Sequence, residues 1–193
     1  MSHPLPFPPR PGRMHEVTGP GATAFAAALA AALPGPVLWV AEDWRPGGLN
    51  PLGLALWFDP GRLLLARTRD TVETLAVTEE ALRHGAVRLV VAELAQATDL
   101  TRGRRLQLAA AAGTSTAICL IPEGEGSNAA ETRWDCRPLA DAGHEDSTLA
   151  EWKLTKNKSG TLGGWHVRWS ISAHRLDLVS PAGERPGPAP LAR

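Results

Sequence analysis

The 193 residues include no tyrosine, only two cysteines, and lysine only at Lys153, Lys156 and Lys158. Two cysteines in a chain of this length do not make the disulfide framework of a small secreted domain. The 20 basic and 20 acidic side chains cancel, so no overall charge draws the chain towards nucleic acid or an anionic membrane. No apolar run is long enough to span a bilayer, and the first residues lack a signal-peptide core. A cytoplasmic protein without membrane contact is therefore expected. The six histidines have no spacing suited to zinc, and no Ser/His/Asp set is in view. Neither a metal nor a cofactor is expected.

What is present is a globular composition, 44% hydrophobic with seven tryptophans. Residues 1–13 carry five prolines and read as a flexible arm. Residues 180–193 read as a disordered tail, which leaves 14–179 as one domain.

The stretch His15–Leu33, HEVTGPGATAFAAALAAAL, reads as strand, Gly-Pro-Gly turn and Ala-rich helix. That is the architecture of a phosphate loop, whose backbone N–H groups and helix N-terminus hold an anion and which requires G-x-x-x-x-G-K-[ST]. Gly19, Pro20 and Gly21 supply the turn. The second glycine, the lysine and the hydroxyl are replaced by Ala24, Phe25 and Ala26. No ammonium is left to neutralise phosphate and no hydroxyl to hold Mg²⁺, so the expectation is a protein that is not an enzyme.

Strand and helix patterns then alternate. Val37–Ala41 is a buried strand ending beside Glu42, and Asn50-Pro51 opens a short helix through Phe58. Leu63–Ala66 is a strand. Asp70 caps a helix with Val72, Leu75, Ala76 and Leu82 on one face and Gly85 as its stop. Val87–Ala92 is a strand ending at Glu93. Leu100–Ala112 is a helix stopped by Gly113, and Ser115–Ile121 is another strand. This order predicts a mostly parallel central sheet with helices on both faces. From Ala129 the helices stop. Residues 131–137, 151–156 and 165–171 alternate polar and apolar, which predicts an antiparallel extension closed by a hairpin.

Glu42 and Glu93 end buried strands, where ligands collect in open parallel sheets. Lys156-Asn157-Lys158 ends a strand at the hairpin and reads either as a solvated end or as a contact for an anion or an acidic partner. Arg102, Arg104 and Arg105 crowd a helix start, where positive charge opposes the macrodipole, so they read as a solvated end or a contact surface. Too few cations are present for strong direct DNA binding. Trp39 reads as core, Trp134, Trp152, Trp165 and Trp169 as packing beneath a helix, and Trp44 as a candidate for partner contact. Cys119 and Cys136 read as buried small hydrophobes.

The order of these motifs resembles the core of the RecA recombinase. Glu42 then falls where that family keeps its catalytic glutamate, and Glu93 where it keeps the Walker B acid. Lys156 and Lys158 fall on the lysines that reach a neighbour's nucleotide. The phrases LTRGRRLQLAAAAG, NAAETRW and WKLTKNKSGTLGGWHVRW resemble more closely the inducible-mutagenesis protein A (ImuA) family of truncated RecA relatives. The resemblance implies a RecA-like fold and an SOS-induced accessory role in translesion synthesis. It also implies an inactive Y-family polymerase homologue, an error-prone replicative-type polymerase and RecA as protein partners. The cell-division inhibitor SulA is the rival within the same fold, and a residual NTPase or single-strand DNA-binding protein is the other alternative.

Overall fold

The computed structural model describes residues 4–44, 48–141 and 146–181. The first half contains β1 (Met14–Thr18), α1 (Ala22–Ala32), β2 (Val37–Glu42), α2 (Pro51–Leu54), β3 (Leu63–Thr68) and α3 (Thr71–His84). The second contains β4 (Leu89–Glu93), α4 (Leu100–Gly113), β5 (Thr116–Leu120), β6 (Thr132–Leu139), β7 (Ser147–Asn157), β8 (Gly163–Ser170) and β9 (Arg175–Pro181). All nine strands form one sheet in the order β3-β2-β4-β5-β1-β6-β7-β8-β9. The strands from β3 to β6 pair in parallel, and β6 to β9 pair antiparallel. The mixed α/β class, the mostly parallel sheet and the C-terminal hairpin are as expected.

One strand changes sides. The pattern puts residues 131–137 in the antiparallel extension, and β6 does pair antiparallel with β7, but its other edge lies parallel to β1, with His15 opposite Thr132. Parallel pairing needs a crossover, usually a helix. The chain between β5 and β6 crosses back without one, which hides the pairing from the sequence pattern. Strand β9 has no sequence signal and takes in Ser180 and Pro181, the first two residues of the expected tail. The rest of that stretch lies outside the described residues.

Helices cover both faces because the strands alternate. In β2, β4 and β5, the side chains of Val37, Trp39, Leu89, Val91, Ile118 and Leu120 join a core with α1. Their neighbours Val40, Val90, Ala92, Ala117 and Cys119 join a second core with α3 and α4. A strand buried on both faces has to be apolar at every position, which is why VLWVA and LVVA run without a break. In α1, Phe25 and Leu29 are buried. Its alanines let the helix lie close to the sheet, where Trp134 and Trp152 fill the remaining depth.

Two helices differ in detail from their pattern. The buried face of α3 holds Thr74, Leu75, Thr78 and Leu82, while Val72 is 65% exposed. Threonine passes for polar in a hydrophobicity pattern. Here the Thr78 hydroxyl donates to the Thr74 carbonyl at 2.7 Å, and the Thr68 and Thr74 hydroxyls meet at 2.6 Å, so both bury without loss. In α4, Gly113 is helical and Thr114 makes the left-handed turn at φ 54°. Gly113 is needed for closeness: a Cβ there would lie 1.9 Å from the Leu82 carbonyl oxygen. The short helix α2 ends at Leu54, before the expected Phe58.

The proline-rich arm is not free over its described part. Residues 4–13 form no helix before the strand, yet Leu5 and Phe7 pack on the α1 core, and the Phe7 ring lies 5.2 Å from Trp152. The arm also reaches a buried histidine. His15 Nε2 lies 2.9 Å from the Arg10 carbonyl oxygen, and Nδ1 lies 2.7 Å from Thr132 Oγ1. Burial lowers the imidazole from 6.5 to about 4, against an opposing pull from the Arg10 carbonyl and Glu131. The unfolded chain therefore takes up this proton first as pH falls. The contribution is complete above about pH 6.5 and is lost progressively towards pH 4. At about 1.4 kcal/mol per pH unit, roughly 3 kcal/mol is involved. Urea melts between pH 7 and pH 4 should show this loss, and His15→Gln should remove much of the slope.

Candidate functional site

The region to test is the end of β1, where the Gly-Pro-Gly turn leads into α1. In a phosphate loop the turn's N–H groups point at the anion. Here the Gly21 N–H donates to the Cys136 carbonyl of β6 at 2.8 Å, and the Ala22 N–H to the Gly19 carbonyl at 3.1 Å. Gly19 has φ 86°, and a Cβ on it would lie 2.5 Å from the Cys136 carbonyl oxygen. A Cβ on Gly21 would lie 2.9 Å from the same atom. Both glycines thus let β6 close against the turn. Pro20 is exposed at the tip.

Phe25, at the lysine position, is fully buried among Phe7, Trp134 and Trp152, with ring centroids at 5.5, 5.3 and 4.7 Å. Ala26 is buried and Ala24 half-buried. Beside Ala24, Pro20 and Gly21, an apolar cavity of about 150 Å³ opens towards Trp57, Trp152 and Trp169. The Trp57 and Trp169 rings stack at 4.8 Å. The late tryptophans therefore pack beneath α1 as their alternation suggests.

The two strand-end acids are tied inward. Glu42 is buried and accepts from the Thr71 hydroxyl at 2.6 Å. Glu93 accepts from the Trp39 indole N–H at 2.6 Å. The lysines are tied inward as well. Lys156 Nζ donates to the Ser127 and Ala130 carbonyls at 2.9 and 2.7 Å, and Lys158 Nζ donates to the Ala129 carbonyl at 2.7 Å. Desolvation, then the nearby Lys158 and Arg133, holds the Lys156 ammonium below the usual lysine range. Asn157 serves the turn, with its amide donating to the Thr161 carbonyl at 3.1 Å. The two lysines clamp the irregular chain between β5 and β6.

The arginines at the start of α4 separate. Arg102 pairs with the capping Asp99 at 3.6 Å, and Arg105 with Glu79 of α3 at 2.7 Å. Local partners thus offset their unfavourable position against the dipole. Arg104 is exposed and makes no ion pair or hydrogen bond among the described residues. Trp44 is 63% exposed in the turn after β2. The structure does not bring Trp44, the arginines and the lysines into one site; of them, Arg104 and Lys158 line a common groove.

A charged pair in β1 and β6 escaped the sequence reading. Glu16 has no exposed surface; its carboxylate accepts from Arg133 Nε at 2.9 Å and from the Ser127 N–H at 2.8 Å. Its only signal was an acid inside the otherwise buried strand MHEVT. Near it, Thr18, Glu123, Arg133, Asp135 and Arg137 line a polar cleft of about 290 Å³. Arg137 closes onto Glu123 at 2.8 Å and onto Asp135 at 3.1 Å. Both cysteines are buried and unbridged. Desolvation pushes both thiols up, helped by Glu16 at Cys119 and by Asp135 at Cys136, so neither is a nucleophile. Among the described residues, no cluster of His, Cys, Asp or Glu could hold a metal ion, and no helix is long and apolar enough to cross a membrane.

Fold and site together define a class: a mixed α/β protein with a mostly parallel sheet, whose Gly-Pro-Gly turn leads into a helix carrying Phe25 and Ala26. No protein-family model matches the chain. Protein ImuA of Caulobacter vibrioides, strain NA1000 / CB15N, is 34% identical over 192 residues, covering 91% of this chain and 72% of the relative. Protein ImuA of strain ATCC 19089 / CIP 103742 / CB 15 matches with the same figures. The chain belongs to the ImuA family.

Proposed function

We propose that this chain is a non-catalytic accessory protein of SOS-induced mutagenesis, acting by contact with other proteins. Membership of the ImuA family supports the mutagenesis setting. One observation carries the non-catalytic reading: each polar remnant of the phosphate-loop framework is engaged inside the chain. The Gly21 N–H is bound by Cys136, Glu42 by Thr71, Glu93 by Trp39, and the two lysines by backbone carbonyls. A nucleotide would have to break several of these bonds without any ammonium at position 25 to repay the cost. The resemblance to truncated RecA relatives supplies the partners: an inactive Y-family polymerase homologue and RecA, in translesion synthesis.

Calorimetric titration with ATP and Mg²⁺ should give no binding heat, and incubation should release no phosphate. Binding in the micromolar range, or turnover abolished by Glu42→Gln, would return the chain to the residual NTPases. A tagged chain in DNA-damaged cells should bring down the polymerase homologue. Recovery of the division-ring protein instead would favour the SulA-like alternative.

A further inference from the structure

Helix α4 has two faces. Gly103, Leu106, Ala109 and Ala110 are buried against the sheet. On the outer side, Leu100, Arg104 and Leu108 follow one another at four-residue spacing, which stacks them along one line about 12 Å long. The leucines are 60% and 62% exposed, and Arg104 is the arginine without a local partner. The line forms one wall of a groove of about 400 Å³ whose other wall includes Arg13, Glu131 and Lys158. Glu131 is the only acid in that lining. It is largely buried, with Arg13 Nε 3.9 Å from its carboxylate. Lys158 uses one of its donors on the Ala129 carbonyl, and an ammonium carries three. The accessible charge of the groove is therefore positive, beside the two exposed leucines.

From this arrangement we infer that the outer face of α4 is a docking groove for an acidic amphipathic helix of a protein partner. The two leucines meet the partner's apolar stripe, and Arg104 and Lys158 meet its flanking carboxylates. A helix laid along another helix reads apolar anchors at such spacing. Charge complementarity selects the partner's sign. It also argues against a second copy of this chain meeting the same face, because Arg104 and Lys158 would then oppose their own counterparts. Single-stranded nucleic acid is disfavoured because no aromatic side chain lines the groove for base stacking. The inference rests on the protein-contact reading above and gives it a surface and a partner chemistry.

The test uses the ¹⁵N-labelled full chain and three probes. These are a capped synthetic helix of about five turns with a leucine stripe flanked by glutamates, its glutamine-substituted twin, and an oligothymidylate. The acidic helix should shift amide resonances along Leu100–Ala111 and near Lys158, and bind about tenfold more tightly than its twin at low salt. Arg104→Glu should weaken it at least about tenfold, while Arg175→Glu, in β9 at the far edge of the sheet, should leave it unchanged. Shifts centred elsewhere, equal binding of the twin, or Arg104-dependent binding of the oligothymidylate alone would overturn the inference. ATP titration reports separately on the underlying reading. A chain that binds ATP yet seats the acidic helix keeps the groove and loses the non-catalytic role. A chain that binds neither loses only the groove.

Discussion

Phe25→Lys, which sets a lysine in the helix after the Gly-Pro-Gly turn, should unfold the protein instead of creating a nucleotide site. The ring it removes is fully buried, with Trp152 4.7 Å and Trp134 5.3 Å away. Emptying such a position costs about 3–5 kcal/mol in transfer and cavity energy. Placing an ammonium among the rings of Phe7, Trp134 and Trp152 adds several kcal/mol more in desolvation. The sum reaches the whole stability of an ordinary domain, about 5–15 kcal/mol. Phe25→Leu keeps the space apolar and should cost only on the order of 1.5 kcal/mol. Urea denaturation followed by tryptophan fluorescence separates the two variants. A Phe25→Lys protein that melts within about 1 kcal/mol of the parent would mean that this buried position accommodates a charge.

Arg133→Met should be the next most damaging change, at about 3–5 kcal/mol. It strips Glu16, which has no exposed surface, of its 2.9 Å guanidinium partner and leaves a buried carboxylate with the Ser127 N–H. It also removes the Arg133 donation to the Ser127 carbonyl at 3.1 Å, loosening the same irregular segment that Lys156 and Lys158 hold. The double change Glu16→Gln with Arg133→Met should recover part of the loss, since the uncompensated charge is then gone. A double variant no more stable than Arg133→Met alone would show that the cost lies in segment ordering and not in the ion pair. Denaturation midpoints of the parent and the two variants settle the point.

The strands were legible where burial on both faces forces a continuous apolar run, as in VLWVA, and where polar and apolar residues alternate, as around Trp165 and Val167. Helix ends were legible where a short side chain serves its own backbone. Asp70 accepts from the Glu73 N–H at 2.9 Å and Asn50 from the Leu52 N–H at 3.0 Å, both within three residues. What failed to show depended on distant chain. Nothing local in residues 132–139 says that they lie parallel to β1. Gly113 reads as a helix stop until the Leu82 carbonyl of another helix is placed against it.

The placement of Ala24, Phe25 and Ala26 after the Gly-Pro-Gly turn was a matter of sequence alone. None of these three side chains carries an ammonium or a hydroxyl, whatever the fold around them, because that chemistry resides in the side chains themselves. The fate of the surviving polar groups was decided only by tertiary structure. Lys156 and Lys158 are cations in any conformation. Whether they reach outward to an anion or inward to the carbonyls of residues 127–130 depends on where the crossover between β5 and β6 comes to rest. The same holds for the Gly21 N–H, which meets Cys136 only because β6 runs alongside β1. A residue's type states which bonds it is able to make; the partner is supplied by chain more than twenty residues away.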